Sequence, residues 1–173
     1  MTSDVFTLLA KYNGGVNEKM SGYIRDLNDE DWNREFNGFF SSVRSLCSHL
    51  YISDFNWLKR FGSLRQFQAL NAPLFEQNFS FHDTIFPGRD EYLIKRPVLD
   101  RKLIEFTAEI KDEDLSQILK YTDSHGTAHG KRFELPLFQM FNHQTHHRGM
   151  ISLYLEFMGR ENDFSAVMPI VGD

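Results

Sequence analysis

Four stretches of this chain repeat apolar residues at mixed three- and four-residue steps, the period of a helix with one buried face. The first spans Ser3 to Leu27, with Val5, Leu8, Leu9, Tyr12, Val16, Met20, Tyr23, Ile24 and Leu27 on its stripe. Gly14 and Gly15 fall in its middle, where each glycine costs about 1 kcal/mol relative to alanine. Asn28-Asp29-Glu30-Asp31 ends it. The second spans Ser41 to Phe61, striped by Val43, Leu46, Leu50, Trp57 and Phe61. The third spans Asp90 to Glu109, with Leu93, Ile94, Val98, Leu103, Ile104 and Phe106. Pro97 lies inside this pattern and moves the expected start towards Arg96, with the proline in the first turn. The fourth spans Leu135 to Met158, with Pro136 in its first turn and Gly159 as its stop.

Two connections have their own character. Gly62 to Arg89 is rich in Phe, Asn and Gln, and a connection this long usually carries function or its own structure. A short helix is expected near Ser63–Leu70, with Phe67, Phe75, Phe79, Phe81 and Phe86 folding back over the long helices. Leu119 to Leu135 holds glycines and no helical period, so it predicts a short hairpin or ordered crossover. The pattern therefore predicts an all-α fold, a four-helix bundle with that excursion before its last helix. No repeat or second set of motifs divides residues 1–173, so a single domain is expected.

Composition narrows the classes. Apolar residues at 41% are ordinary, but aromatics reach 14%, with 17 Phe, which implies a bulky core. A net charge of −5 argues against a general nucleic-acid binder, which would show a basic face. No apolar run is long enough to span a bilayer, and Met1-Thr2-Ser3-Asp4 lacks the basic and apolar regions of a signal peptide. Cys47 is the one cysteine, so no internal disulfide forms and a cytoplasmic protein is expected. Cys47 follows the apolar pattern of its segment and is expected in the core rather than as a nucleophile.

The chemistry concentrates in Asn142-His143-Gln144-Thr145-His146-His147-Arg148-Gly149. His143 and His147 are one helical turn apart and project about 40° from each other, the spacing by which one helix offers two imidazoles to one metal ion. Met140, Met150, Ile151, Tyr154 and Met158 surround their direction, with His147 at the centre of the stripe and His146 off to one side. Histidines that face inwards are often plain core residues. Burying two without partners would cost on the order of 1–3 kcal/mol each, which favours ligation. A third ligand must come from elsewhere. His49 is the only histidine on the other three stripes, and Ser45, Ser53 and Asn56 share its side. Gln144 replaces the glutamate of a His-Glu-x-x-His zinc protease, so that chemistry is set aside. His125 and His129 could serve as bases if the crossover folds over the metal, although exposed loop positions are the plainer expectation. Arg148 could hold an anionic substrate, although a structural salt bridge is the commoner role.

These residues carry a resemblance. Leu9-Ala10-Lys11-Tyr12-Asn13 followed by Asn17, then Ser42 to His49 followed by Trp57, then His143, His147, Arg148 and Gly149, resemble the motifs of the DinB family of metalloenzymes along nearly the whole chain. Met150 departs from the glutamine that family members commonly have there. The resemblance implies an up-down-down-up four-helix bundle, often a homodimer. It also implies a three-histidine metal site, which maps onto His49, His143 and His147. An all-histidine site favours zinc or nickel, with iron and copper as further options. The expected function is a metal-dependent transferase or hydrolase of small molecules, and the resemblance favours transfer that uses a low-molecular-weight thiol. The alternative is a non-catalytic metal-binding stress-response bundle acting through its pocket or dimer surface. No nucleic acid or membrane partner is expected.

Overall fold

The computed structural model describes residues 2–81 and 83–171. The single-domain expectation also covers residues 1, 82, 172 and 173, which lie outside them. The order is α1 (Ser3–Arg25), α2 (Asp29–Asn33), α3 (Val43–Phe61), a 3-10 turn (Pro73–Glu76), α4 (Arg89–Ala108), α5 (Asp112–Leu115), β1 (Ile118–Thr122), β2 (Ala128–Arg132), α6 (Glu134–Phe157) and α7 (Met168–Val171). Each of the four apolar stripes becomes one long helix. α1 and α3 each pack against both α4 and α6. Among the described residues no helix is long and apolar enough to cross a membrane. The excursion before α6 is an antiparallel hairpin, with Ile118 opposite Arg132 and Thr122 opposite Ala128.

Local chemistry sets the ends. The Ser42 hydroxyl accepts from the Ser45 N–H, and the Ser45 hydroxyl accepts in return from the Ser42 N–H, a reciprocal cap that starts α3. α1 borrows its cap: the Asp112 carboxylate accepts from the Ser3 N–H and hydroxyl at 2.7 and 2.8 Å. Gly159, at φ +75°, turns the chain after α6, and the Arg160 N–H closes on the Leu155 carbonyl at 2.9 Å. Asn28 does more than stop α1, because its side chain accepts from the Asp31 N–H and caps α2.

Three expectations are corrected. Gly14 and Gly15 do not interrupt α1, and Gly15 lets a neighbour approach. A Cβ at Gly14 would lie 3.4 Å from Ile104 of α4, and one at Gly15 would collide with Ile170 of α7. α4 does not begin near Arg96 but runs through Pro97. Tyr92 and Arg96 are buried and hold the turns before the proline, whose own ring is exposed where water can reach the carbonyl it leaves free. Ser63–Leu70 forms turns rather than a helix. Two of its N–H groups find a distant partner, since Gln68 and Ala69 both donate to the Glu109 carboxylate at 2.7 Å, while Ser63, Leu64 and Leu70 donate to nearby turn carbonyls. Arg65 in the same stretch pairs with Asp114 at 2.8 Å. Phe67, Phe75 and Phe86 are buried as expected, while Phe79 and Phe81 are partly so. Cys47 is buried, and burial raises its thiol pKa well above the ordinary value.

A polar layer crosses this aromatic core. Arg96 reaches Asp54 of α3 at 2.9 Å and pairs with Asp100 one turn along α4. Asn17 of α1 donates to Asp100 at 2.9 Å. Burial opposes the charge on Arg96, but Asp100 and Asp54 outweigh it and raise its pKa above the ordinary arginine value. The Gln144 amide of α6 lies beside Asp54. Arg148 donates to Asn13 of α1 and, at 3.4 Å, to Gln144. All four long helices thus contribute to one chain of charges and amides.

Removing one member of a buried ion network strands the others, at a typical cost of about 3–5 kcal/mol. Arg96→Met is expected to destabilise the protein by that order in urea unfolding. A loss under about 1 kcal/mol would show that the network does not hold the helices together.

Candidate metal centre

His49, His143 and His147 converge where α3 faces α6. Their nearest potential ligand atoms all lie within 4.8 Å of one another. His49 Nε2 and His143 Nε2 are 2.9 Å apart, so one donates and the other accepts. His143 Nδ1 lies 3.4 Å from the Ser53 hydroxyl, one turn after His49 on α3. His147 Nδ1 is buried without a hydrogen-bond partner among the described residues. Ring centroids lie 4.9 Å apart for His49 and His143, 4.6 Å for His49 and His147, and 4.4 Å for His143 and His147.

The donor set fits a divalent ion. Zinc–nitrogen bonds of about 2.0–2.1 Å would set ligand nitrogens roughly 3.3 Å apart in a tetrahedron, a small adjustment from these positions. The charge state fits too. Burial, and then the neighbouring His146, lower the His143 pKa to about 4. Burial, and then the neighbouring histidines, lower that of His147 to about 3. Both rings are therefore neutral ligands at neutral pH.

The histidines sit at the edge of the buried face of α6 rather than at its centre. Met140, Gln144 and Ile151 at 0% exposure mark the centre, His147 is 7% exposed, and His143 is half-buried. The polar Gln144 occupies that centre because its amide has the Leu50 carbonyl at 3.4 Å, Asp54 and Arg148 as partners. Arg148 does not make the expected salt bridge among the described residues. It is buried and bound to the amides of Asn13 and Gln144. His146 is exposed and outside the convergent group, although its ring lies 4.8 Å from that of His147.

Two further parts complete the surroundings, and the first had no sequence signal. Phe40 packs on His49 at 4.1 Å between ring centroids and edge-on against His147 at 5.3 Å. Its carbonyl accepts from the Tyr154 hydroxyl at 2.7 Å, which pins this loop to α6. The hairpin supplies the other part. His129 and His143 line one cavity of about 310 Å³, so the hairpin does fold beside the histidine group, whereas His125 is exposed and outside that lining.

Comparison with known proteins finds similarity along nearly the whole chain. The model of the DinB family matches residues 1–164. Protein DinB of Bacillus subtilis (strain 168) is 26% identical over 164 residues, covering 91% of this chain and 88% of that protein.

The lowered pKa values set a pH dependence for the metal-free protein. Both folded values, about 4 and about 3, lie below the unfolded histidine value near 6.5. Between them the unfolded chain binds protons that the folded one refuses, so stability falls as pH drops from about 6.5 towards 4. Urea unfolding of chelator-treated protein at several pH values should show this fall, and His147→Gln should make it shallower. An unchanged slope in that variant would contradict the burial argument.

Proposed function

The chain belongs to the DinB family, and we propose that His49, His143 and His147 hold one divalent metal ion with an open position used in chemistry on a small molecule. The observation that carries this is the convergence of three imidazoles within 4.8 Å, two of them kept neutral by burial. Zinc or nickel suits three neutral nitrogen ligands. A metal held by only three protein groups keeps room for a fourth partner, as catalytic sites do. When bound, the ion would supply Lewis acidity, lowering the pKa of water or of a low-molecular-weight thiol. The reaction is thiol-dependent S-transfer or hydrolysis.

The chain's own residues prepare the site. Ser53 orients the His143 ring through Nδ1. Phe40 covers one flank of the histidines and excludes water there. Gln144 and Arg148 fix α6 beneath the ligands through Leu50 and Asn13. The second reading is a non-catalytic metal-binding stress-response protein. The cavity that reaches His143 favours the first, because a purely structural metal needs no approach.

The wider frame is part of the proposal. The long helices form one up-down-down-up bundle in a cytoplasmic, single-domain protein. A homodimer would cover the outward stripe of α6, where Leu135, Phe138, Leu153 and Phe157 are exposed between 45% and 61%.

Metal analysis of untagged protein is expected to find one divalent ion per chain. His143→Ala and His147→Ala should abolish stoichiometric binding, His49→Ala should weaken it strongly, and His146→Ala should leave it nearly intact. Equal damage from His146→Ala and His147→Ala would refute this ligand set. Sedimentation at micromolar concentration should show a dimer that Phe138→Glu dissociates; a wild-type monomer would rule out the dimer.

A further inference from the structure

We propose that the cavity beside His143 binds a small organic anion, with Arg60 gripping its carboxylate or phosphate group. The inference rests on the metal-site reading for its catalytic meaning, but Arg60 is not one of the proposed metal ligands. The cavity of about 310 Å³ is walled by Ser53, Trp57, Arg60, Tyr121, His129 and His143. Arg60 also borders the adjoining cavity of about 350 Å³. A ligand held there would have its charged end at Arg60 and its body directed along α3 towards His143.

Arg60 is half-buried yet has no ion pair and no side-chain hydrogen bond among the described residues. The buried or half-buried arginines elsewhere are engaged: Arg65 by Asp114, Arg96 by two carboxylates, Arg148 by amides. What surrounds the Arg60 guanidinium is aromatic. Its central carbon lies 5.0 Å from the Trp57 ring centre, 5.4 Å from Phe81 and 5.9 Å from Tyr121. Rings attract the charge and fix its plane while leaving its N–H donors unspent. Partial burial without an anion is costly, and a guanidinium fork matches a carboxylate or phosphate edge.

Asp123, the carboxylate on the cavity wall, is already committed. One oxygen lies 2.8 Å from His129 Nε2, and the other accepts from the His125 and Thr127 N–H groups at 2.8 and 2.9 Å. It therefore holds the hairpin in shape and makes no ion pair with Arg60, although its charge still supports that of the guanidinium. Lys59 adds a second positive charge to the adjoining cavity while its ammonium is held by Gln77 and Asn78. A divalent ion at the histidines would add to this field and favour anions further. Trp57, Phe81 and Tyr121 offer flat apolar surface to the rest of the ligand, so the fitting class is a compact anion with an apolar or aromatic body.

The test uses the full chain and three probes: benzoate, phenyl phosphate and the neutral benzyl alcohol. Binding is followed by the Trp57 indole N–H resonance, with buried Trp32 as the control for fold. Metal-free protein and metal-loaded protein are titrated separately. At least one of the two anions should shift Trp57 saturably and bind about ten- to a hundredfold more tightly than benzyl alcohol, the value of a charge-assisted contact. Arg60→Gln should erase that preference, and Arg60→Lys should retain part of it. Benzoate and phenyl phosphate together tell which anionic group is preferred, and either supports the proposal. Equal affinity for benzyl alcohol, or an undiminished preference in Arg60→Gln with Trp32 unshifted, would overturn it. If Arg60→Gln does not fold, the wild-type comparison and Arg60→Lys decide. Anion binding by protein that takes up no metal would sink the metal reading alone, whereas metal uptake without anion preference would sink only this one.

Discussion

A guanidinium buried away from water must meet carboxylates at fixed places, and Arg96 imposes that demand on the whole molecule. Its partners come from α3 and from its own helix, with Asn17 of α1 behind Asp100 and Gln144 of α6 beside Asp54. Sliding any long helix by one residue would leave a charge or an amide unmatched in the core. Apolar side chains tolerate such slips far better, because packing is less directional than ion pairing. The network therefore acts as a register lock.

The histidine group inherits that register. Asp54 follows His49 and Ser53 on α3, while Gln144 and Arg148 directly follow His143 and His147 on α6. The same turns that satisfy the buried charges carry the imidazoles, one set pointing into the core and the other to its rim. Position at the rim reconciles two needs. Enough burial keeps His143 and His147 neutral, and enough access leaves His143 on the wall of a cavity. A histidine at the very centre of the stripe, where Gln144 lies, would have been sealed from any small molecule.

The elements outside the long helices finish the surroundings. The loop before α3 lays Phe40 against two of the histidine rings. The hairpin before α6 brings Tyr121 and His129 to the far side, where Tyr121 packs edge-on against Trp57 at 5.3 Å between ring centroids. One flank of the group is thus apolar and closed, and the other is polar and approachable. That asymmetry would give a small molecule one side from which to approach the histidines.

The sequence by itself determined the four long helices, the hairpin and which histidines share a face. Those follow from period, capping residues and breakers, which act over a few neighbouring positions. It also singled out His49, because only one histidine lay on the other stripes. It misjudged α4 because a proline's local penalty is visible in sequence, while the burial of Tyr92 and Arg96 that offsets it is not. It likewise expected a helix over Ser63–Leu70, where the Glu109 carboxylate, some 40 residues away, takes two of the backbone amides. Only the tertiary structure decided that Gln144 and Arg148 lie inside, that Phe40 covers the histidines, and that Arg60 stands among rings with no ion pair among the described residues. Polar residues carry no periodic signature of burial, since their place depends on partners contributed by other helices. That pairing exists only once the helices have packed.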